Sequence, residues 1–190
     1  MDDKYILIDK DLNERLNRIV QCMFTLNRIY DAGGSVLGVK FVMSNFLKEY
    51  HDTVFHAFPK IADLVSAIQE NYNTVTTYYD TPTGKNDYEN PLAFFEEVLD
   101  YLLYVQKYIS ETQEFASVLS DTDNTGTSYV ISKALNRLAK IIGKFVGQAL
   151  LLRDKSRMYG QDNLGIMLFD AEVDDYLIIS ADDLPESLLV

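Results

Sequence analysis

The two histidines of the chain, His51 and His56, stand five residues apart in a stretch whose apolar residues recur at helical spacing. On a helix Asp52 and His56 are four apart and Asp63 lies seven beyond His56, so these three share one face. Imidazole with carboxylate is a donor set suited to iron, manganese or zinc. Ligands from one helix need partners, and Glu14, Glu97 or Asp100 could supply them from other helices. His51 points about 140° away from His56 on a continuous helix, so the two cannot both ligate one ion from it. The competing reading makes Asp52 and His56 an exposed hydrogen-bonding pair on a polar face.

Other chemistries have little material. Cys22 is the single cysteine; it sits beside Met23 in a helical pattern and reads as a small buried apolar residue. Two histidines and one thiol give no nucleophile–base constellation. Gly33, Gly34 and Gly38 follow no strand, which excludes a phosphate-cradling fingerprint. Lys133, Arg137, Lys140 and Lys144 form a basic stripe at steps of four, three and four. Such a stripe reads as a solvated face, or as a partner for the acidic helix before it (Glu96, Glu97, Asp100, Glu111, Glu114). Tyr72, Tyr78, Tyr79, Tyr88, Tyr101, Tyr104 and Tyr108 suit core packing and a subunit or partner interface better than base stacking.

The elements that must position these residues are helices. Leu12, Leu16, Ile19, Met23, Leu26 and Tyr30 mark a first helix over 11–32, entered through the capping-box spacing of Asp11 and Glu14 and ended by Gly33-Gly34. Leu47, Tyr50, Val54, Phe58, Ile61, Val65, Ile68, Tyr72, Val75 and Tyr79 form the longest stripe, over 35–79. Pro59 lies inside it, so this stretch is either one long kinked helix or two helices meeting at 57–59. Turn chemistry follows at 80–89. Asn90-Pro91 then caps a helix over 91–119, Ser120–Gly126 is a second loop, and a last long helix runs over 127–159 to Gly160.

The junction residues carry a resemblance. Tyr50-His51, Phe55, Phe58 and Lys60-Ile61-Ala62-Asp63-Leu64 resemble the passage between the first two bundle helices of Dps-type mini-ferritins. Asp121-Thr122-Asp123-Asn124-Thr125-Gly126-Thr127 looks like the acid–threonine turn that family places before its last helix. The resemblance covers roughly 34–159. It implies a ferritin-like up-down helical bundle, a homo-oligomer, iron as the metal, and weak metal binding or stress protection as the function. The family's iron site uses two His on one chain and an Asp and a Glu on the next helix of a partner subunit. His51 falls on the first His, but Pro59 stands at the second, Thr74 and Tyr78 stand at the acids, and Asp52 replaces the usual tryptophan. No Glu-x-x-His pair occurs anywhere in the chain. The resemblance therefore implies a degenerate iron site, with His51, Asp52, His56 and Asp63 left as candidate metal ligands. Any activity would be of the ferroxidase type. The alternative is a non-enzymatic adaptor that presents its bundle to a protein partner.

Charge divides the chain. The formal net charge is −12, which argues against nonspecific nucleic-acid binding by the whole surface. Residues 160–190 hold eight acids and no Lys or Arg. Within them Ile166–Phe169 and Tyr176–Ile179 are short apolar runs, either two small strands or apolar anchors of a segment docked on the bundle. The expected fold is thus all-α, with a bundle domain at 1–159, a long bent or broken second helix, and an acidic C-terminal appendage at 160–190. No apolar run reaches the roughly 18 residues of a membrane span, and the acidic start lacks signal-peptide character. Together these predict a soluble, cytoplasmic protein.

Overall fold

The Asp9 carboxylate accepts the Leu12 N–H at 3.0 Å and caps the first helix, α1, Lys10–Lys40. That start lies just ahead of the Asp11–Glu14 spacing. The computed structural model describes residues 8–72, 74 and 85–189, with the backbone alone at His51 and Asp52. Helix α1 does not stop at Gly33-Gly34 but runs through both. Their missing side chains serve packing. A Cβ on Gly33 would overlap the Phe94 ring, and one on Gly34 would stand 2.5 Å from Tyr50 Cζ. Two rings from other helices can therefore lie against the α1 backbone. The helix ends where the Phe41 N–H donates to the Leu37 carbonyl at 3.2 Å and Val42 takes φ 59°.

The second bundle helix is built from α2 (Ser44–Tyr50), a π-helical segment (His51–Phe55) and α3 (Ala57–Asn71). It is broken, as its proline suggests, but upstream of 57–59. Pro59 is the third residue of α3, where a first-turn proline is tolerated. Having no N–H, Pro59 leaves the Phe55 carbonyl without its helical donor. Asn27 of α1 supplies one, its Nδ2 donating to Phe55 O at 2.8 Å. Tyr50, Val54, Phe58, Ile61, Val65 and Ile68 of the stripe are fully buried. Val75 and Tyr79 lie outside the described residues.

Helix α4, Pro91–Ser120, begins as its sequence dictates: Asn90 accepts the Ala93 N–H at 2.9 Å and Pro91 opens the first turn. Helix α5, Thr127–Tyr159, starts after Gly126 at φ 73° and stops at Gly160, φ 87°. Asp123 accepts the N–H groups of Thr125 at 2.8 Å and Ser128 at 2.7 Å. Burial pushes its carboxyl pKa up, but the hydrogen bonds from Thr125 and Ser128 outweigh that and hold it well below the usual carboxylate range.

Three antiparallel contacts define the bundle. Gln69 Nε2 donates to Asn13 Oδ1 at 2.7 Å and to Asn17 Oδ1 at 2.9 Å, which sets the end of α3 beside the start of α1. The Arg15 guanidinium lies 4.5 Å from the Phe115 ring centroid, while the Tyr30 and Phe94 centroids are 5.7 Å apart, so α4 runs antiparallel to α1. Gln113 Nε2 donates to Ser132 Oγ at 3.0 Å and Arg157 pairs with Glu96 at 2.9 Å, so α5 returns along α4. Helix α3 thus ends at one end of the bundle and α4 begins at the other, the connectivity of a bundle with one long crossover.

Residues after Gly160 pack back onto this frame. Asp162 accepts the Gly165 N–H at 2.7 Å and caps α6, Asn163–Ala171. Two 3-10 turns follow, Val173–Tyr176 and Ala181–Asp183. The apolar runs are anchors, and no strand occurs among the described residues. Phe169 lies between Phe95 and Tyr176, with ring centroids 5.6 and 5.9 Å away. Asp170 is buried, and its carboxylate accepts the Asn45 N–H at 3.1 Å and the Phe46 N–H at 2.8 Å, capping α2 from a distant part of the chain. No described helix is long and apolar enough to cross a membrane.

Candidate functional site

Ferritin-like di-metal sites are built in the bundle core, from carboxylates and imidazoles that project inward from facing helices. Here that space is filled otherwise. Met23, Leu26 and Tyr30 of α1 meet Phe58, Ile61 and Val65 of α3, Leu102 and Val105 of α4, and Leu138, Ile142 and Phe145 of α5, all buried. Phe58 stands 5.5 Å from Tyr30 and 5.0 Å from Phe145, centroid to centroid. Burial pushes the Tyr30 phenol far above its ordinary pKa. Among the described residues the one buried carboxylate is Asp170, which is engaged as the α2 cap, and no histidine is buried. This donor set does not fit a two-metal carboxylate centre.

The candidate ligands lie on the second bundle helix. Its π-helical segment replaces i,i+4 by i,i+5 backbone bonding across His51–Phe55. The register that stacks Asp52 under His56 on a regular helix is therefore altered. His56 and Asp63 are both exposed. The carboxylates that could complete a site are occupied elsewhere: Glu14 pairs with Lys10 at 3.9 Å and Glu97 with Lys85 at 3.0 Å. Asp100 lines a groove with Tyr101 and Tyr104. Among the described residues no three His, Cys, Asp or Glu side chains are placed to hold a metal ion, and the side chains of His51 and Asp52 fall outside that description. Tyr50–Leu64, the stretch that resembles a junction between two bundle helices, lies within the second helix. The junction itself is at 41–43.

A second surface gathers aromatic and basic groups between α1 and α4. Tyr101, Tyr104 and Tyr108 form a ladder with centroids 5.7 and 6.4 Å apart. An open groove of about 790 Å³ beside it is lined by Arg15, Arg18, Gln21, Tyr108 and Phe115, with Asp11 and Glu14 at its edge. The Arg18 guanidinium is hydrogen-bonded by Tyr104, which raises its pKa further. Cys22 is buried behind this face. Burial pushes its thiol pKa up against a hydrogen bond from Tyr101, which keeps it protonated and unreactive. Of the other tyrosines, Tyr88 is buried in the core, while Tyr78 and Tyr79 lie outside the described residues.

The basic stripe of α5 does not turn to α4. Lys133, Arg137, Lys140 and Lys144 are all exposed, the solvated face expected of them, and Arg137 Nη1 also donates to the Leu188 carbonyl at 2.9 Å in the segment after α6. Asn27, Asp170 and this segment's hold on α5 are absent from the sequence reading. A signal existed only for Asn27: Pro59 four residues after Phe55 announces a carbonyl that needs another donor.

No family model and no curated protein matches the chain. Solved structures do. An engineered closed form of the Archaeoglobus fulgidus ferritin aligns with a TM-score of 0.77 at 19% identity, covering 88% of this chain and 96% of that one. A humanized archaeal ferritin aligns at 0.78 and 20% identity over 88% and 96% of the two chains. The open-pore ferritin of the hyperthermophilic archaeon Archaeoglobus fulgidus aligns at 0.77 and 20%, over 88% and 98%. Together with the single crossover and the paired antiparallel helices, these similarities show that the chain has the ferritin-like fold.

Proposed function

We propose that this chain is a ferritin-like bundle that assembles with copies of itself and has no dinuclear iron-oxidising centre inside the protomer. The observation that carries the reading is the apolar and aromatic filling of the space between the four helices, with Phe58 against both Tyr30 and Phe145. Two-electron iron oxidation needs paired ions held by inward carboxylates, and rings cannot substitute for them. The reading retains one weak single-ion site on the second helix, at Asp52, His56 and Asp63, for iron, manganese or zinc. A stress-protective role would then rest on the assembly and on sequestering ions, not on fast oxidation.

Sedimentation velocity with a paired iron assay tests this. The protein should sediment as a closed homo-oligomer, and oxygen added after anaerobic Fe(II) should oxidise it no faster than in buffer. A monomer at micromolar concentration would overturn the assembly. Rapid oxidation lost in His51→Ala would reveal a centre built from other residues. Zn(II) or Mn(II) binding unchanged in His56→Ala would remove the single-ion site.

A second reading is favoured by the α1–α4 face. Arginine and tyrosine are among the residues enriched at binding hot spots, and Arg15, Arg18 and Tyr108 line one groove there, with Tyr104 stacked on Tyr108. On this reading the bundle is a non-enzymatic adaptor and the groove holds a protein partner.

A further inference from the structure

Residues 179–189 leave the bundle surface at the end of α6 and its 3-10 turn, then run between α3 and α5. Their main chain is read by side chains of the bundle at three points. The Ile179 N–H donates to Gln148 Oε1 at 2.9 Å, Lys60 Nζ donates to the Ala181 carbonyl at 2.8 Å, and Arg137 Nη1 donates to the Leu188 carbonyl at 2.9 Å. The strap therefore runs antiparallel to α5, from the level of Gln148 to that of Arg137. Ile179, Leu184 and Leu188 are buried, while Asp182, Asp183 and Glu186 between them stay exposed.

This is how a groove recognises an extended peptide. Main-chain bonds supply sequence-independent hold, and spaced apolar pockets supply selection. The wall is cationic: Lys140 and Lys144 of α5 are exposed beside Arg137. Lys144 adds to the hydrogen bonds from Ser180 in drawing the Asp183 carboxyl pKa down. The strap itself brings no Lys or Arg. One donor on the wall is also unused. Gln148 is 1% exposed, and its Nε2 has no hydrogen-bond partner among the described residues. A buried unsatisfied donor is destabilising, so the strap is an imperfect ligand, and a segment offering one more carbonyl at this point would compete with it.

We propose that the groove between α3 and α5 is a binding site for extended acidic peptide segments, occupied in this chain by residues 179–189 and open to exchange with a partner segment of the same chemistry. The partner carries apolar residues spaced as Ile179, Leu184 and Leu188, with carboxylates between them. In the intact chain the strap acts as a competitor in cis and sets the affinity for such partners.

The test uses the full chain with Leu184→Asp and Leu188→Asp, which unseats the strap, and a fluorescein-labelled peptide with the sequence of residues 178–189. Fluorescence anisotropy should show saturable binding that weakens as salt is raised. Adding Arg137→Ala should weaken it about tenfold, the effect of one charge-assisted hydrogen bond. The unsubstituted chain, with its strap in place, should bind more weakly than the unseated one. A folded, unseated chain that ignores the peptide overturns the proposal, and so does binding indifferent to Arg137→Ala. Should the double substitution fail to fold, hydrogen exchange on the unsubstituted chain decides. Excess peptide should accelerate exchange of the amides of 180–189, a scrambled peptide should not, and no acceleration overturns the proposal.

Discussion

The two helical hairpins of this bundle are built by different means. In α4–α5 the boundaries are mainly local: Asn90 caps, Pro91 opens, Asp123 gathers the turn, Gly160 stops the chain, and only the Leu92 N–H reaches further, to Gln161 Oε1 just past α5. In the hairpin of α1 with α2–α3 the ends of α1 are local too, but its close approaches and its second helix rest on contacts from far along the chain. Phe94 and Tyr50 rings lie on Gly33 and Gly34, Asn27 serves the carbonyl that Pro59 orphans, and Asp170 caps α2. The first kind of hairpin takes its end points from residues at or near those ends. The second requires the rest of the bundle, because each of its irregularities is satisfied by another element.

Glycine offers the widest test of that difference. Gly33 and Gly147 both lie inside long helices, but an added Cβ meets the Phe94 ring at Gly33 and open space at Gly147. Phe94 is fully buried and has nowhere to retreat. Gly33→Ala should therefore destabilise by about 2–3 kcal/mol through overpacking. Gly147→Ala should stabilise by about 0.5–1 kcal/mol, since only helix propensity changes there. Urea midpoints at unchanged m-value read both. Equal effects at the two sites would dissolve the distinction between the hairpins.

The next largest effect concerns Asn27. Asn27→Ala removes the amide N–H that donates to the Phe55 carbonyl, and the expected loss is about 1–3 kcal/mol. Pro59→Ala restores a backbone N–H four residues after Phe55. In the Asn27→Ala background it should recover part of the loss, so the two substitutions form a double-mutant cycle with a large coupling. Additive effects would mean that Asn27 and Pro59 do not act on the same carbonyl.

These two tests also mark how far the fold was legible. Four apolar stripes, the Asn90-Pro91 start and the Gly160 stop are local patterns, and helices stand where they point. Gly33-Gly34 carries the same local signal as Gly160 yet does the opposite, because rings from α2 and α4 decide its role. Val42, where the chain does turn, carries no turn signal at all. The metal-site reading rested on a regular i,i+4 register through Asp52 and His56, and the π-helical segment removes that regularity. Nothing in the spacing of the residues themselves announces a π turn; only Pro59 hints that the ladder is irregular nearby. The anchoring of the segment after Gly160 was legible as burial of its apolar runs. The cap that Asp170 provides for α2 was not, since capping across the chain leaves no periodicity to read.

A smaller effect is expected where the cap is local. Asn90→Ala removes the acceptor for the Ala93 N–H and should cost about 1 kcal/mol. Asn90→Ser should recover most of it, because the hydroxyl takes the same bond. Thermal or urea unfolding measures both. A serine variant as weak as alanine would show that Asn90 is held by something other than capping, and α4 would then join the class of elements that depend on distant contacts.

The smallest effect is a gain, at the one turn in the first hairpin. Val42 holds φ 59° with its side chain 76% exposed. A β-branched residue in the left-handed region is strained by about 1–2 kcal/mol, and an exposed side chain offers little packing in return. Asparagine tolerates this region by bonding its own backbone. Val42→Asn should therefore stabilise by about 0.5–1 kcal/mol. Val42→Gly should gain less, because glycine also adds freedom to the unfolded chain. If the turn behaves as its local geometry dictates, asparagine outranks glycine and both outrank valine in urea midpoint. The reverse order would mean that the valine side chain is covered in the assembled protein, and that even this turn is held by a contact from outside the hairpin.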